Sequence, residues 1–154
     1  MIKIKDSVED FFKWVKGSEL VELDDIDVSE DPVRPELTLG FRIMHGRKVF
    51  GLKYNDEIEA IVCTALCPEV PHTVREMDYM SQVANQDGQR GEIVVAYTVW
   101  SRKKGAGKEI IKKLGEWAKA KSASSVFLKS KSPFSISFTN DSFCSRFLYL
   151  SWLK

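Results

Sequence analysis

The sequence contains few cysteines, almost no net charge and no long apolar run. Its three cysteines in 154 residues are an odd number at low density, which argues against a disulfide framework and favours a reducing compartment. No apolar run reaches the roughly 18 residues that a membrane-spanning helix needs, and Asp6 interrupts the segment where the core of a signal peptide would lie. We therefore expect a cytoplasmic protein that does not contact a membrane.

The formal net charge is +1, but acidic and basic residues are unevenly distributed along the chain. Residues 19–31 contain seven acidic side chains and no basic one, whereas residues 102–131 contain ten Lys or Arg against two Glu. A basic segment of this kind is either a solvated helix face or a surface that attracts an anionic ligand, and both interpretations stay open at this point.

Length and composition fit one domain, residues 1–154. Residues 7–16 predict a short helix that Ser7 caps, with an apolar stripe formed by Val8, Phe11, Phe12 and Val15. The acidic segment that follows predicts a loop, with a short helix over 35–44. Residues 48–54 and 57–67 around Asn55-Asp56 predict a β-hairpin.

The rest of the chain alternates between strands and helices. "IEAIVCTALC" is apolar or small on both faces, which predicts a central strand covered on both sides. Further elements are predicted as a helical turn near 73–81, strands over 92–100 and 124–130, a helix over 105–121 with Ile110, Ile111, Leu114, Trp117 and Ala118 inward, and a last helix from Asp141. The fold class is an α/β (α+β) domain whose mixed, mostly antiparallel sheet is flanked by helices.

The stretch "WSRKKGAGKEIIKKL", from Trp100 to Leu114, places two glycines and a cluster of cations at the start of a helix. Glycine in a helix costs roughly 1 kcal/mol relative to alanine, so we expect a compensating role. Helix N-termini present free N–H groups, and glycine lets a phosphate approach them. The spacing matches neither a Walker A loop nor a dinucleotide-binding fingerprint. A purely structural turn is the alternative.

The Arg-x-x-Gly-x-Gly pattern, after a strand and at the start of a helix, resembles the pyrophosphate motif of the GNAT superfamily of acetyltransferases, [RQ]-x-x-G-x-[GA]. The order of elements over about residues 49–130 is similar to that family as well. The resemblance implies a GNAT-like fold and an acyl-CoA-dependent N-acyltransferase. In its simplest form the enzyme transfers acetyl from acetyl-CoA, its co-substrate, to a small-molecule or peptide amine by direct attack in a ternary complex.

The resemblance also implies which residues bind acetyl-CoA. Its pyrophosphate would lie against the backbone N–H groups of Lys103, Lys104, Gly105, Ala106, Gly107 and Lys108. The side chains of Arg102 to Lys104 and of Lys108 would add positive charge. Thr98 and Val99 would hold the pantetheine arm through backbone groups, and a strand N–H, that of Val99, would stabilise the anionic tetrahedral intermediate.

Two catalytic residues follow from the same resemblance. Glu92 stands at the head of the strand before the motif, where the resemblance implies the general base; a solvated carboxylate at a strand end is the alternative. The family often has Phe-Tyr seven and eight residues after an Asn. Here Asn140 is followed by Phe147 and, one place late, by Tyr149. Tyr149 is the candidate general acid, and a core tyrosine is the alternative.

Partners and metals are less clearly indicated. The family has two further strands after its last helix, but five residues follow Tyr149 here, so an uncovered sheet edge would allow a homodimer, with a monomer as the alternative. Cys63 and Cys67, with His72, could act as metal ligands, but the even spacing of the cysteines on a buried strand fits small core residues better, and we predict no metal. A non-catalytic GNAT-fold module that binds CoA or a partner is a second function. A nucleic-acid-binding protein that uses the basic helix face is a third, less favoured because Trp117 has core spacing.

Overall fold

The computed structural model describes residues 2–86, 93–120, 125–128 and 137–139. The elements in chain order are α1 (Ile2–Gly17), β1 (Glu19–Leu23), α2 (Leu39–Ile43), β2 (Arg47–Tyr54), β3 (Glu57–Cys67), α3 (Val74–Gln86), β4 (Ile93–Ser101), α4 (Ala106–Ala120), β5 (Ser125–Leu128) and β6 (Ser137–Thr139). Within the described residues the strands form one sheet in the order β1-β2-β3-β4-β5-β6. The first four are antiparallel, β5 runs parallel to β4, and β6 is antiparallel to β5. The predicted mixed, mostly antiparallel sheet with flanking helices is confirmed, and the helix predicted from Asp141 lies outside the described residues.

The hairpin of β2 and β3 forms as predicted. Asn55 and Asp56 have φ angles of 48° and 65°, the left-handed values that a two-residue turn needs to match the twist of its strands. β3 is buried on both faces over most of its length, because its neighbours pair on both edges and helices cover both sides of the sheet. It is therefore the central strand that its apolar sequence predicts.

Two apolar clusters lie on opposite faces of the sheet. One contains Phe50, Leu52 and Val62 and is covered by α4 and the end of α1. The predicted inward residues of α4 are buried at Ile110, Ile111, Leu114 and Ala118 and partly buried at Trp117, and Ala106, Glu109 and Gly115 are buried as well. The other cluster contains Val49, Ile61 and Met77 and lies beneath α2 and α3.

A β-bulge interrupts the alternation of side chains along β4. Thr64 of β3 pairs with Ala96 and the preceding Cys63 pairs with Thr98, so Tyr97 is an extra residue without its own partner on β3. Beyond this point the faces are exchanged: Trp100 packs in the cluster beneath α3, and Val99 packs against the cluster beneath α4. In a regular strand, Trp100 would lie on the side of α4 and Val99 on the side of α3.

The N-terminal helix differs from its prediction. It begins at Ile2, so Ser7 lies within the helix and does not cap it. Three residues of the predicted apolar stripe are exposed: Val8, Phe11 and Phe12, at 47%, 54% and 58%. Trp14 is the buried residue instead, because the last turn of α1 is the part that contacts the sheet, where the Trp14 indole donates to Glu59 on β3.

The acidic segment was predicted as a loop, but its beginning forms a strand. Residues 19–23 pair antiparallel with β2 along its length, and Glu22 forms an ion pair with Lys48 across the two strands. The sequence "ELVEL" has the mixed apolar and polar pattern of an edge strand, which the run of acidic residues obscured. Cross-strand pairing with β2 supplies the stability that this short strand lacks alone.

The two short helices differ from their predicted lengths because their ends are set by capping. α2 is shorter than the predicted 35–44, since the Thr38 hydroxyl accepts from the N–H of Phe41 and starts the helix at Leu39. α3 is longer than the predicted turn over 73–81. Thr73 and Glu76 form a reciprocal capping box at its start, each side chain accepting from the other residue's N–H.

α2 is attached to the loop that precedes it by a fully buried ion pair. Arg42 and Asp31 have no exposed side-chain surface, and the Arg42 Nη1 donates to the Asp31 carboxylate over 2.7 Å. Burial alone would raise the pKa of Asp31, but the Arg42 hydrogen bond and the N–H groups of Val33 and Arg34 outweigh it, and the pKa lies below its usual value. Arg42 also donates to the carbonyls of Leu37 and Arg34, which holds the loop before α2 in place.

Replacing Asp31 with Asn should lower the free energy of unfolding by about 3–5 kcal/mol, because it leaves the Arg42 charge buried without its counter-ion. The stabilisation from Asp31 is fully present above its unfolded pKa, about 4, and is lost as pH falls through the lower folded value. The difference between wild type and variant should therefore shrink on acidification. Urea unfolding at several pH values measures both effects.

Asp10→Asn is the matched control for this experiment. Asp10 forms a surface pair with Lys13, with both side chains more than 70% exposed, so its loss should cost less than about 0.5 kcal/mol. Equal losses of stability in the two variants would contradict the importance of the buried pair.

Candidate functional site

The segment between β4 and α4 forms a tight turn with a left-handed glycine. Gly105 has a φ of 88°, a backbone conformation that side chains disfavour. The turn is closed by three backbone hydrogen bonds: Arg102 N–H to Glu59 O, Ala106 N–H to Lys103 O, and Glu109 N–H to Gly105 O. The last of these begins α4, so the N-terminus of the helix opens directly from the turn.

These bonds divide the backbone donors of the turn into two groups. The N–H groups of Arg102 and Ala106 are used within the protein. Five others have no acceptor among the described residues: Lys103, Lys104, Gly105, Gly107 and Lys108. The resemblance had implied a cradle that includes Ala106, and the structure commits that donor to the Lys103 carbonyl. The remaining donors lie at the positive end of the α4 dipole.

The cations of the turn are also divided. Arg102 pairs with Glu30 over 2.9 Å, and Lys103 pairs with Glu59 over 3.1 Å. The Lys103 ammonium lies 4.7 Å from the ring centre of Trp14 as well. Lys104 and Lys108 are free of ion pairs within the described part of the chain. The charge available to an external anion is thus concentrated on these two lysines.

An open pocket of about 400 Å³ lies beside the turn and is lined by Glu57, Ile58, Glu59, Arg102 and Lys103. Two carboxylates face two cations in this pocket, so its charges balance. Because a pocket lined by equal numbers of positive and negative charges attracts an anion only weakly, we expect an anionic ligand on the side of Lys104 and Lys108. Sequence reasoning missed Glu59, which comes from a strand more than forty residues earlier and carries no local pattern.

Both glycines leave space for a close approach. A Cβ built on Gly105 would meet no atom within 4 Å, and one built on Gly107 would meet only Ser101, 3.7 Å from its Oγ. The φ of Gly105 accounts for glycine at that position without any ligand. Gly107 lies within the helix, where a side chain is permitted and glycine is unfavourable. Its presence is better explained by contact with a ligand.

Thr98 and Val99 lie near the C-terminal end of β4. Thr98 is buried beside Cys63, and Val99 is half-buried. The pairing of β4 with β5 runs from Ile93 and Ser125 to Ala96 and Leu128, where the described part of β5 also ends. Within the described residues, the edge of β4 from Tyr97 onwards therefore has no strand partner on the β5 side.

The two catalytic candidates, Glu92 and Tyr149, lie outside the described residues. Glu92 directly precedes Ile93, the first residue of β4. Ile93 and Val99 are six residues apart on this strand, a span of about 20 Å along an extended backbone. A base at the start of β4 is too distant for a carbonyl held at Val99, since a general base acts at hydrogen-bond distance or through one water.

Of the remaining polar candidates, the two cysteines are core residues and His72 is exposed. Cys63 and Cys67 are buried thiols on β3, which confirms their interpretation as core residues. Within residues 2–86, 93–120 and the two short strands, no three His, Cys, Asp or Glu side chains are grouped as metal ligands. The helices of the same part of the chain are all too short or too polar to span a bilayer.

The architecture is similar to that of a solved enzyme. The crystal structure of malonyl-CoA decarboxylase from Cupriavidus metallidurans aligns with 84% of this chain at a TM-score of 0.56 and 18% sequence identity. The alignment covers 35% of that chain, so this protein spans about a third of its length. Similarity at this level of identity shows a shared fold. No protein-family model matches the chain, and no curated protein matches its sequence.

Replacing Gly105 with Ala should lower the free energy of unfolding by about 1–2 kcal/mol, because a side chain disfavours the left-handed backbone. Replacing Gly107 with Ala should leave stability unchanged or raise it by up to about 1 kcal/mol, because alanine favours the helix and its Cβ makes ordinary contacts with Ser101. Urea unfolding measures both values. A Gly107→Ala protein less stable than Gly105→Ala would contradict this description of the turn.

Proposed function

We propose that the protein is an acyl-CoA-dependent N-acyltransferase of the GNAT type, which transfers acetyl from acetyl-CoA to an amine. The observation that carries this proposal is the turn after β4. Five backbone N–H groups without acceptors among the described residues, a left-handed glycine and two unpaired lysines meet at the start of one amphipathic helix. A pyrophosphate needs several donors at close range together with positive charge, and this turn offers both.

The residues of the turn would divide the binding of the pyrophosphate. The N–H groups from Lys103 to Gly105, with those of Gly107 and Lys108, would donate to its oxygens. Gly107 would allow the backbone to approach, and the Lys104 and Lys108 ammonium groups would neutralise charge. Arg102 and Lys103 would hold the turn in shape through Glu30 and Glu59.

The edge of β4 would hold the pantetheine arm and the thioester. Backbone groups of Thr98 and Val99 would pair with the amides of the arm as a neighbouring strand would, and one N–H would donate to the thioester oxygen as negative charge develops there. Both described cysteines are buried in the core, which favours direct attack by the amine over an enzyme-bound acyl group. The solved malonyl-CoA decarboxylase supports the proposal, since its name indicates a CoA thioester as substrate of a protein with this architecture.

The reaction then requires two proton transfers. The amine nitrogen bonds to the acyl carbon while the carbon–sulfur bond breaks, the nitrogen loses a proton to a base, and the departing thiolate gains one. Glu92 is the proposed base and Tyr149 the proposed acid. If Glu92 acts as the base, the thioester carbonyl must lie nearer to Ala96 than to Val99, given the length of β4.

Replacing Gly107 with Val should weaken acetyl-CoA binding roughly tenfold or more, because the branched side chain blocks hydrogen bonds between phosphate and backbone, each worth about 1.5–3 kcal/mol when charged. The double variant Lys104→Ala/Lys108→Ala should also weaken acetyl-CoA binding, and by more than the double variant Arg102→Ala/Lys103→Ala. Isothermal titration with acetyl-CoA measures all three. Gly40→Val, in α2 and exposed, is the matched control. Unchanged affinity in both the Gly107 and the Lys104/Lys108 variants would reject the site.

Glu92→Gln should lower kcat/KM about 10²–10⁴-fold at pH 7, the usual cost of losing a general base. The deficit should shrink as pH rises toward the pKa of the amine, about 8 for an α-amine and about 10 for lysine, since free amine is then abundant. Thiol release measured from pH 6 to 10 tests this, with the exposed Glu116→Gln as control. Wild-type kcat/KM at every pH would exclude Glu92 as the base. Acetyl-CoA binding without thiol release from any amine would favour the non-catalytic module.

A further inference from the structure

A group of charged side chains lies beneath α3, on the face of the sheet opposite α4. We call it the arginine cluster: Arg34, Arg42, Arg47, Asp31 and Asp78. Arg42 and Asp31 form the buried pair described above. Arg34 and Arg47 both donate to the carboxylate of Asp78 on α3. The turn between β4 and α4 and the predicted catalytic residues do not belong to this cluster, and beyond the structural role of the Arg42–Asp31 pair no role assigned so far explains it.

Arg47 is held rigidly but is incompletely paired. It is 3% exposed, its Nε and Nη2 donate to Ser81 Oγ, and its Nη2 donates to Asp78 over 2.9 Å. Its guanidinium also packs 4.1 Å from the ring centre of Phe41. The third nitrogen, Nη1, is buried and has no acceptor among the described residues. A buried guanidinium nitrogen without an acceptor is costly, so we expect a ligand to satisfy it.

The hydroxyl of Tyr97 is a second buried group without a partner in the described part of the chain. The guanidinium carbons of Arg47 and Arg34 lie 5.8 Å and 6.0 Å from the centre of its ring. Tyr97 is the extra residue of the β4 bulge, and its side chain packs with Val95 on the face of the sheet where the arginines lie. Burial raises the pKa of Tyr97, which keeps the hydroxyl protonated and able to donate.

The charge balance of the cluster favours an anion. Three guanidiniums face two carboxylates inside it, and the further carboxylate that pairs with Arg34, Glu36, is 63% exposed at the surface. Burial lowers the pKa of Arg47, as expected for a cation whose charge is not fully compensated. A carboxylate would supply negative charge, and its two oxygens can accept hydrogen bonds from a guanidinium edge and from a hydroxyl at the same time.

We propose that Arg47 Nη1 and Tyr97 Oη bind a substrate carboxylate close to the site of acyl transfer. The inference rests on the proposed function, because β4 lies beside a thioester only if the protein catalyses acyl transfer. Tyr97 lies between Ala96 and Val99 on that strand, within roughly 7 Å of either position along the backbone. A ligand would reach the cluster from its edge, where the side chains of Arg34 and Asp78 are 16% and 25% exposed.

The carboxylate has two chemical sources that would place it here. It can belong to the acceptor, as in an amino acid, or to the acyl group of the thioester, as in a dicarboxylic acyl-CoA. Matched pairs of compounds that differ by one carboxylate separate the two. L-lysine against cadaverine, with acetyl-CoA as donor, tests the acceptor. Malonyl-CoA against acetyl-CoA, by isothermal titration, tests the acyl group.

Tyr97→Phe is the decisive variant, because it removes only an unpaired hydroxyl and should leave the melting temperature unchanged or higher. We expect wild type to prefer the carboxylate-bearing member of at least one pair, and Tyr97→Phe to weaken that preference about tenfold. The compound without the carboxylate should be unaffected. Tyr79→Phe, on the exposed surface of α3, is the matched control. Arg47→Lys should also reduce the preference for the carboxylate, since lysine keeps the charge but lacks the planar set of guanidinium donors.

Malonate alone provides a measurement that does not depend on CoA. It should raise the melting temperature of wild type and of Tyr79→Phe more than that of Tyr97→Phe. This result without any acetyl-CoA binding would preserve the carboxylate site and reject acyl transfer. Thiol release from acetyl-CoA with neither a preference for carboxylates nor an effect of malonate would overturn the carboxylate site alone, and would assign the two unpaired groups to a buried water.

Discussion

The bulge in β4 is the constraint on which both candidate sites depend. In a regular strand, Trp100 would share a face with Val94 and Ala96 and would lie beneath α4. The extra residue at Tyr97 exchanges the faces, so the small Ser101 lies beneath the start of α4, 3.7 Å from where a Gly107 Cβ would be. The helix N-terminus can therefore approach the end of the strand closely. The same exchange places Trp100 on the opposite face with Tyr97, where the Arg42 guanidinium carbon of the arginine cluster lies 5.8 Å from the centre of its ring.

Charge pairing separates structural residues from residues that are available to a ligand. Around the turn, Glu30 and Glu59 neutralise Arg102 and Lys103, whereas no carboxylate of the described residues pairs with Lys104 or Lys108. Beneath α3, Asp31 neutralises Arg42 completely, while Arg47 shares Asp78 with Arg34. In both places an excess of positive charge remains next to β4, one on the surface and one buried. Surface charge suits a flexible, hydrated phosphate group, and buried charge suits a small anion that loses its water.

Periodicity predicted the elements whose own residues determine their burial. The hairpin followed from Asn55-Asp56 between apolar runs, and the inner face of α4 followed from spacing around Ile110 and Leu114, because in each case the local pattern and the final environment agree. The same reasoning was wrong for α1, where Phe11 and Phe12 are exposed. Amphipathic spacing shows that a helix has an apolar face, but not how much of that helix lies on the sheet.

The turn between β4 and α4 is a local feature, since Gly105, Gly107 and the lysines lie close together in the chain and their conformations follow from backbone sterics and helix geometry. For that reason the sequence alone was sufficient to locate it. The division of its donors and cations was not predictable, because Glu59 and Glu30 reach the turn from segments more than forty residues away. The bulge at Tyr97 and the partners of Arg47 were likewise not predictable from the sequence. They arise from the register between strands and from packing between distant elements, and these are properties of the folded chain that no short stretch of sequence contains.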